Sequence, residues 1–333
     1  MFKIHRLLPG LLLTFALTAL AWGVEQVERH WLGQAWFEAL VLALILGTVA
    51  RSIFGLHPAF EDGVHFSGKT VLEIGVMLLG ASFSVRALGD FGPLLIGAIA
   101  GVVFIALALS YGIGRTMGLP HQLAVLVACG NSICGNSAIM AAAPVIDASA
   151  EDVAASIAFT AALGIIVVLV LPLALPGLGL AERSYGILAG MTVYAVPQVI
   201  AATAPVGLVA IQVGTLAKLI RVLMLGPVVV ALGLGAGRKA GLRPGVGRLV
   251  PWFIVGFLCL MGLRSLNVIP VAVIGPVGVV STILTTAAMG ALGLSVDLGT
   301  MMHANGRVLT SGVLSIVMLL GLSLGALALL GLW

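Results

Sequence analysis

Two Gly-Asn-Ser triplets stand five residues apart in the stretch Ala128-Cys129-Gly130-Asn131-Ser132-Ile133-Cys134-Gly135-Asn136-Ser137-Ala138, with apolar sequence on both sides. Amides and hydroxyls in such surroundings are costly unless something bonds them. On one continuous helix, turning about 100° per residue, Asn131 and Asn136 would point about 140° apart and could not easily serve one site. A helix interrupted at this glycine-permitted gap could aim both, and would also offer backbone N–H and C=O groups to a solute or ion. The plainer alternative is a seam of small residues in which Asn and Ser hold two helices together.

A second group lies in the run from Val209 to Val230, which carries Gln212, Thr215, Lys218 and Arg221. Lys218 is about ten residues from the nearer end of that run, roughly 15 Å along a helix, too deep to reach water easily. Lys218 and Arg221 are three apart, so they share a face, one offering a point charge and the other a planar fork. That combination suits an oxyanion with several oxygens. The alternative is a structural one, in which Glu73 or the carbonyls of a broken helix neutralise both cations. Glu73, four residues after Lys69, reads as one half of an interfacial ion pair or as a carboxyl that couples transport to protons. Tyr194, Pro197 and Gln198 interrupt a further apolar run, where Pro197 removes a backbone hydrogen bond and makes Gln198 a candidate for lining a cavity.

Other patterns carry less. Gly63-Val64-His65-Phe66-Ser67-Gly68-Lys69-Thr70 spells the phosphate-loop consensus, but no strand precedes it and a membrane segment follows, so it is expected to be a cytoplasmic loop and to bind no nucleotide. No histidine pair has helical metal-ligand spacing, and Cys129, Cys134 and Cys259 form neither a disulfide framework nor a zinc pattern. No metal or other cofactor is expected. An intramembrane enzyme lacks a Ser/His or metal constellation, so the chain is not read as an enzyme.

The elements that must position these residues follow from composition. Of 333 residues, 16 are Lys or Arg and 12 are Asp or Glu, 61% are apolar, and mean hydropathy is +1.22. So few charges cannot cover a soluble fold, and the apolar runs are unbroken rather than alternating. The expected fold is an all-α polytopic membrane protein. About eleven spanning helices are expected, at 7–23, 36–54, 69–86, 92–114, 121–146, 152–176, 184–204, 208–235, 250–264, 270–296 and 306–332. The first resembles a signal peptide, with Ala19-Leu20-Ala21 as a cleavage-like site, but is long enough to span. With the N-terminus in the cytoplasm, inside loops collect Lys3, Arg6, Arg51, Lys69, Arg115, Arg183, Arg238, Lys239, Arg243, Arg248 and Arg307, against Arg29, Arg86 and Arg264 outside. This asymmetry puts the C-terminus outside, and the basic balance needs no nucleic-acid partner. Residues 1–35 form an N-terminal helix and external loop. Two groups of five helices, 36–180 and 181–333, then enter the membrane in opposite senses, the inverted-repeat layout of many secondary transporters. In the second group the tenth helix, with Ser281, Thr282, Thr285, Thr286, Gly290 and Gly293, takes the place that Asn131 to Ser137 has in the first, and is expected to cross it. Asp297 is expected in a solvated loop near His303.

Together the double Gly-Asn-Ser core with Ala138 to Ile146, Ser67-Gly68-Lys69-Thr70 leading to Gly75 to Gly80, the stretch Thr215 to Pro227, and Val250-Pro251-Trp252-Phe253 resemble the YeiH-type family, labelled sulfate exporters. The match covers nearly the whole chain, and the Gly-Asn-Ser duplication and the Lys-x-x-Arg helix are its most specific parts. The resemblance implies the wider group of cation/proton antiporters and bile-acid-type transporters, with inverted five-helix repeats and two crossed, interrupted helices. The paired acidic residues of the antiporters are absent, Asn131 and Asn136 standing instead.

The reading that results is a secondary transporter of a small anion, sulfate or an organosulfonate, working by alternating access, with export as the expected direction. Asn131, Ser132, Gly135, Asn136, Ser137, Gln198, Thr215, Lys218 and Arg221 would bind it, Glu73 is the coupling candidate, and H+ or Na+ the coupling ion. A cation/proton antiporter of the same fold and a passive anion channel are the alternatives. The expected location is the bacterial inner membrane, and a homodimer is compatible with it.

Overall fold

The computed structural model describes residues 4–32, 38–82, 92–235, 252–296 and 306–332. The regular structure of these residues is helical, without strands. Lys3, Arg86, Arg238, Lys239, Arg243, Arg248, Asp297 and His303, named above, lie outside them. Seven of the described helices are long and apolar enough to cross a membrane, and shorter apolar ones accompany them. The chain divides into two compact units, Met1–Ala87 with Phe253–Thr300, and Leu88–Trp252 with Met301–Trp333.

Unit 1 is built from α1 (Ile4–Leu32), α2 (Ala39–Phe54), α3 (Pro58–Ser82), α9 (Trp252–Ser265) and α10 (Val271–Leu294). Glycines set its seams, as membrane helices require when no hydrophobic force pulls them together. A Cβ on Gly63 would run into Leu7 and Gly10 of α1, and one on Gly293 of α10 into Leu44 and Gly47 of α2. This corrects two expectations. The phosphate-loop-like segment is no loop: Pro58 starts a helix whose first turn is capped by His57 Nδ1, accepting from Ala59 N–H at 3.2 Å. The chain then passes through a π-helical turn, Ser67–Val71, without leaving the helix. Gly63, the first glycine of the consensus, stands where α3 touches α1. The polar residues of α10, meanwhile, do not break that helix. Ser281 donates to Gly75 O at 2.7 Å, and Thr282, Thr285 and Thr286 donate to the carbonyls one turn back in α10.

Unit 2 contains α4 (Gly92–Thr116), an interrupted α5, α6 (Ala150–Leu178), an interrupted α7, α8 and α11 (Gly306–Leu329). The halves of α5 are α5a (His121–Cys134) and α5b (Asn136–Ala142). Those of α7 are α7a (Glu182–Thr192) and α7b (Val196–Thr203). In α8, α8a (Leu208–Leu223) continues into α8b (Leu225–Gly235) through Met224, three residues before Pro227, whose ring and missing N–H disturb the preceding turn. α7a and α8a pack backbone to backbone, since a Cβ on Gly190 would meet Gly214 O and Ala217.

Candidate functional site

The break in α5 is made by glycine. The last turn of α5a, Gly130–Cys134, is π-helical, and Gly135 N donates to Gly130 O at 2.9 Å. Gly135 then adopts φ 65°, ψ −128°, a region open in practice only to glycine, and α5b begins at Asn136. A side chain there would also crowd the Tyr194 Cβ at 3.3 Å. The chain therefore interrupts the helix at the glycine that opens the second Gly-Asn-Ser triplet.

In α7 the break needs no glycine. Val193 and Ala195 are extended (ψ 148° and 151°), which stops the helix at Thr192, and Pro197 occupies the first turn of α7b, where its missing N–H costs nothing. Gln198 Oε1 accepts Ala195 N–H at 3.1 Å, and its amide lies against Gly164 of α6. So Gln198, expected as a cavity wall, caps a half-helix. The second interruption thus falls in α7 and not in α10, which is unbroken. Hydroxyls alone do not interrupt a helix, because each can bond a carbonyl one turn back.

A helix that ends inside a membrane leaves carbonyls that no water reaches. Here Lys218 and Arg221 of α8a take them up. Lys218 Nζ donates to Ile133 O at 2.5 Å and to Val193 O at 2.9 Å. Arg221 donates from Nε to Ser132 O (3.2 Å), from Nη2 to Asn131 O (3.1 Å) and from Nη1 to Gly190 O (3.0 Å) and Val193 O (3.2 Å). Both side chains are fully buried, at 0% and 1% exposure, and among the described residues no carboxylate is bonded to either. Because both cations bond the Val193 oxygen, they are no more than about 6 Å apart, where two like charges repel by roughly 3 kcal/mol at an effective dielectric constant of about 20. Each helix C-terminus carries about half a negative charge, so the ends of α5a and α7a together offset about one of the two. The neutralising partners are main-chain dipoles, and Glu73 lies in unit 1, half-buried on α3.

The amides complete the junction. Asn131 is buried, its Oδ1 accepting from the Tyr194 hydroxyl and its Nδ2 donating to Gly312 O at 3.3 Å, so the two breaks are tied directly to each other and to α11. Asn136 is half-buried and accepts from Thr160 Oγ1 at 2.6 Å, while Ser137 is exposed. Ser132 Oγ and Thr215 Oγ1 are buried without a hydrogen-bond partner, Thr215 one turn before Lys218 and Ser132 on the residue whose carbonyl holds Arg221. Asn131, Ser132, Gly135, Lys218 and Arg221 thus meet at one place, and Asn136 and Ser137 begin the half-helix that leaves it. Missed in sequence were Tyr194 as a bonding partner, Gly312 and Thr160. Tyr194, three residues before a proline in an apolar run, was the one with a readable signal. Among the described residues no cluster of His, Cys, Asp or Glu is placed to hold a metal ion.

What such an arrangement offers chemically is a closed, positively biased junction of four half-helix ends, and the chain's relatives share its membrane character. A UPF0324 membrane protein of Brucella melitensis is 57% identical over 330 residues, 99% of this chain and 92% of that protein. One of Agrobacterium fabrum is 52% identical, covering 97% and 93% of the two chains, and one of Bacillus cereus 34% identical, covering 84% and 80%. No solved structure matches. The family described as "Conserved hypothetical protein 698" matches residues 9–312. The chain is a membrane protein of this UPF0324 family.

Proposed function

We propose that the protein is a secondary transporter that carries a small anion, sulfate or an organosulfonate, across the bacterial inner membrane by alternating access. The observation that carries the reading is the burial of two basic side chains, Lys218 and Arg221, at the junction of two interrupted helices whose ends supply only about one unit of main-chain negative charge. An anion at the junction would balance the remainder. Most of the donors of Lys218 and Arg221 are held by carbonyls, so their contribution is a fixed field, and direct contacts fall to the first turns of α5b and α7b, to Asn136 and Ser137, and to the unpartnered hydroxyls of Ser132 and Thr215. A cation/proton antiporter of the same fold is disfavoured by Asn131 and Asn136 where a carboxylate would be needed. A passive channel is disfavoured by the burial of the junction. We further propose eleven spans with a cytoplasmic N-terminus and an external C-terminus, two inverted five-helix groups over 36–180 and 181–333, export as the direction, no cofactor, and a homodimer as the assembly.

The test is flux of labelled sulfate, methanesulfonate and chloride in proteoliposomes. Saturable flux of at least one is expected. Asn136→Asp, which sets a negative charge at the start of α5b, should reduce that flux more than tenfold while the thermal unfolding transition is retained. Flux of all three anions at the level of empty liposomes would overturn the reading.

A further inference from the structure

With both side chains charged, the junction would hold two cations against about one unit of negative charge, and since arginine keeps its proton under all working conditions, the excess would fall on Lys218. Its hydrogen bonds have the same meaning. An ammonium carries three donors, an amine two donors and a lone pair. Lys218 Nζ donates twice, to Ile133 O and Val193 O, and among the described residues no third acceptor is bonded to it. Among the described residues, the neighbouring elements bring no carboxylate into a hydrogen bond with Lys218 Nζ. Arg221 is on the same helix, Cys134 comes from α5 and Tyr194 from α7, where its hydroxyl is given to Asn131. Elsewhere on α7, Tyr185 bonds Ala202 O, and Glu182 caps α8a through Val209 and Ala210 N–H. Glu182 and Arg183 start α7a, roughly 12 Å along the helix from Gly190 at about 1.5 Å per residue. On α4, Arg115 bonds Leu119 O and Tyr111 bonds His121.

We propose that Lys218 is a proton-binding site: Nζ stands as an amine while the junction is empty and becomes an ammonium when an anion enters it. The proton is delivered by hydronium from the solution: its O–H bond breaks, one N–H bond forms on the nitrogen lone pair, a water molecule is released, and no covalent bond is made to the anion. Anion and proton then raise each other's affinity by the same factor, which makes the proton the coupling ion and Lys218, not Glu73, its seat. The coupling half rests on the function proposed above, and the amine half stands without it.

The chain has four lysines, Lys3, Lys69, Lys218 and Lys239, so the nitrogen spectrum of the full-length protein labelled at lysine Nζ is simple. Signals are assigned with Lys3→Arg, Lys69→Arg and Lys239→Arg, each of which leaves Lys218 in place. In gluconate buffer at about pH 7.5, three ammonium signals and one amine signal are expected. Adding sulfate, methanesulfonate or chloride should convert the amine to an ammonium for at least one of them, with uptake of about one proton per chain from a weakly buffered sample. An ammonium signal from Lys218 before any anion is added overturns the proposal. An amine that none of the three anions converts overturns the coupling half. If saturable flux in proteoliposomes accompanies that result, the transporter reading stands and only the seat of the proton is lost.

Discussion

Two stretches of the chain carry much the same small polar residues and use them in opposite ways. In α10 Ser281, Thr282, Thr285 and Thr286 stand close together, their hydroxyls return to main-chain carbonyls, and the helix runs unbroken from Val271 to Leu294. In α5 the glycine of the second Gly-Asn-Ser triplet makes a break, and the free carbonyls before it are held by side chains from another helix. The difference is chemical. A serine or threonine hydroxyl reaches the carbonyl one turn back without disturbing the ladder, whereas an asparagine amide on the helix bonds elsewhere, and a glycine at φ 65° stops the ladder outright. Once stopped, a helix in a membrane needs donors that its own sequence does not contain, and Lys218 and Arg221 supply them.

If that contrast is right, Arg221→Met should be the most damaging of the substitutions considered. It removes the donors to Asn131, Ser132 and Gly190 carbonyls, each costing about 1–3 kcal/mol when left buried and unbonded, partly offset by relief of a buried charge. Detergent unfolding should show a loss of roughly 3–5 kcal/mol. Ser281→Ala, which leaves one carbonyl of α3 short of one bond, should cost about 1 kcal/mol by the same measurement. Equal losses would dissolve the distinction between the two regions.

Next in size is Gly135→Ala, which forces a side chain into a conformation costing about 1–3 kcal/mol and against Tyr194. Its control is Gly97→Ala in the middle of α4, where the added methyl meets nothing within 4 Å. There the better helix former should raise stability by about 0.5–1 kcal/mol. Tyr194→Phe, which leaves Asn131 Oδ1 buried without its donor, should cost about 1–2 kcal/mol. A neutral result would mean that the two breaks are held together by the cations alone.

What could be read from the sequence follows the same chemistry. The break in α5 was legible because asparagine and glycine in an apolar run have few other uses. Lys218 and Arg221 were legible as buried because no charge sits idly in such a run. Their partners were not, since every residue carries a carbonyl and only a fold shows which ones are free. The break in α7 was half legible: Pro197 marked a disturbance, but the extended residues Val193 and Ala195 before it have ordinary apolar side chains. In α10, hydroxyl density suggested a site where none of the helix is interrupted, and Gly293 turned out to serve the approach to α2. Gly63, read as part of a loop, likewise belongs to a helix crossing.

The most direct measurement of the central claim is to locate the anion. Crystals grown with selenate, and separately with bromide, give anomalous signals from the anion itself. A peak is expected at the junction of α5 and α7, beside Asn136 and the start of α7b and within a few ångströms of Ser132 and Thr215. A peak only at surface sites, in crystals of protein whose stability in solution is raised by the same anion, would contradict it.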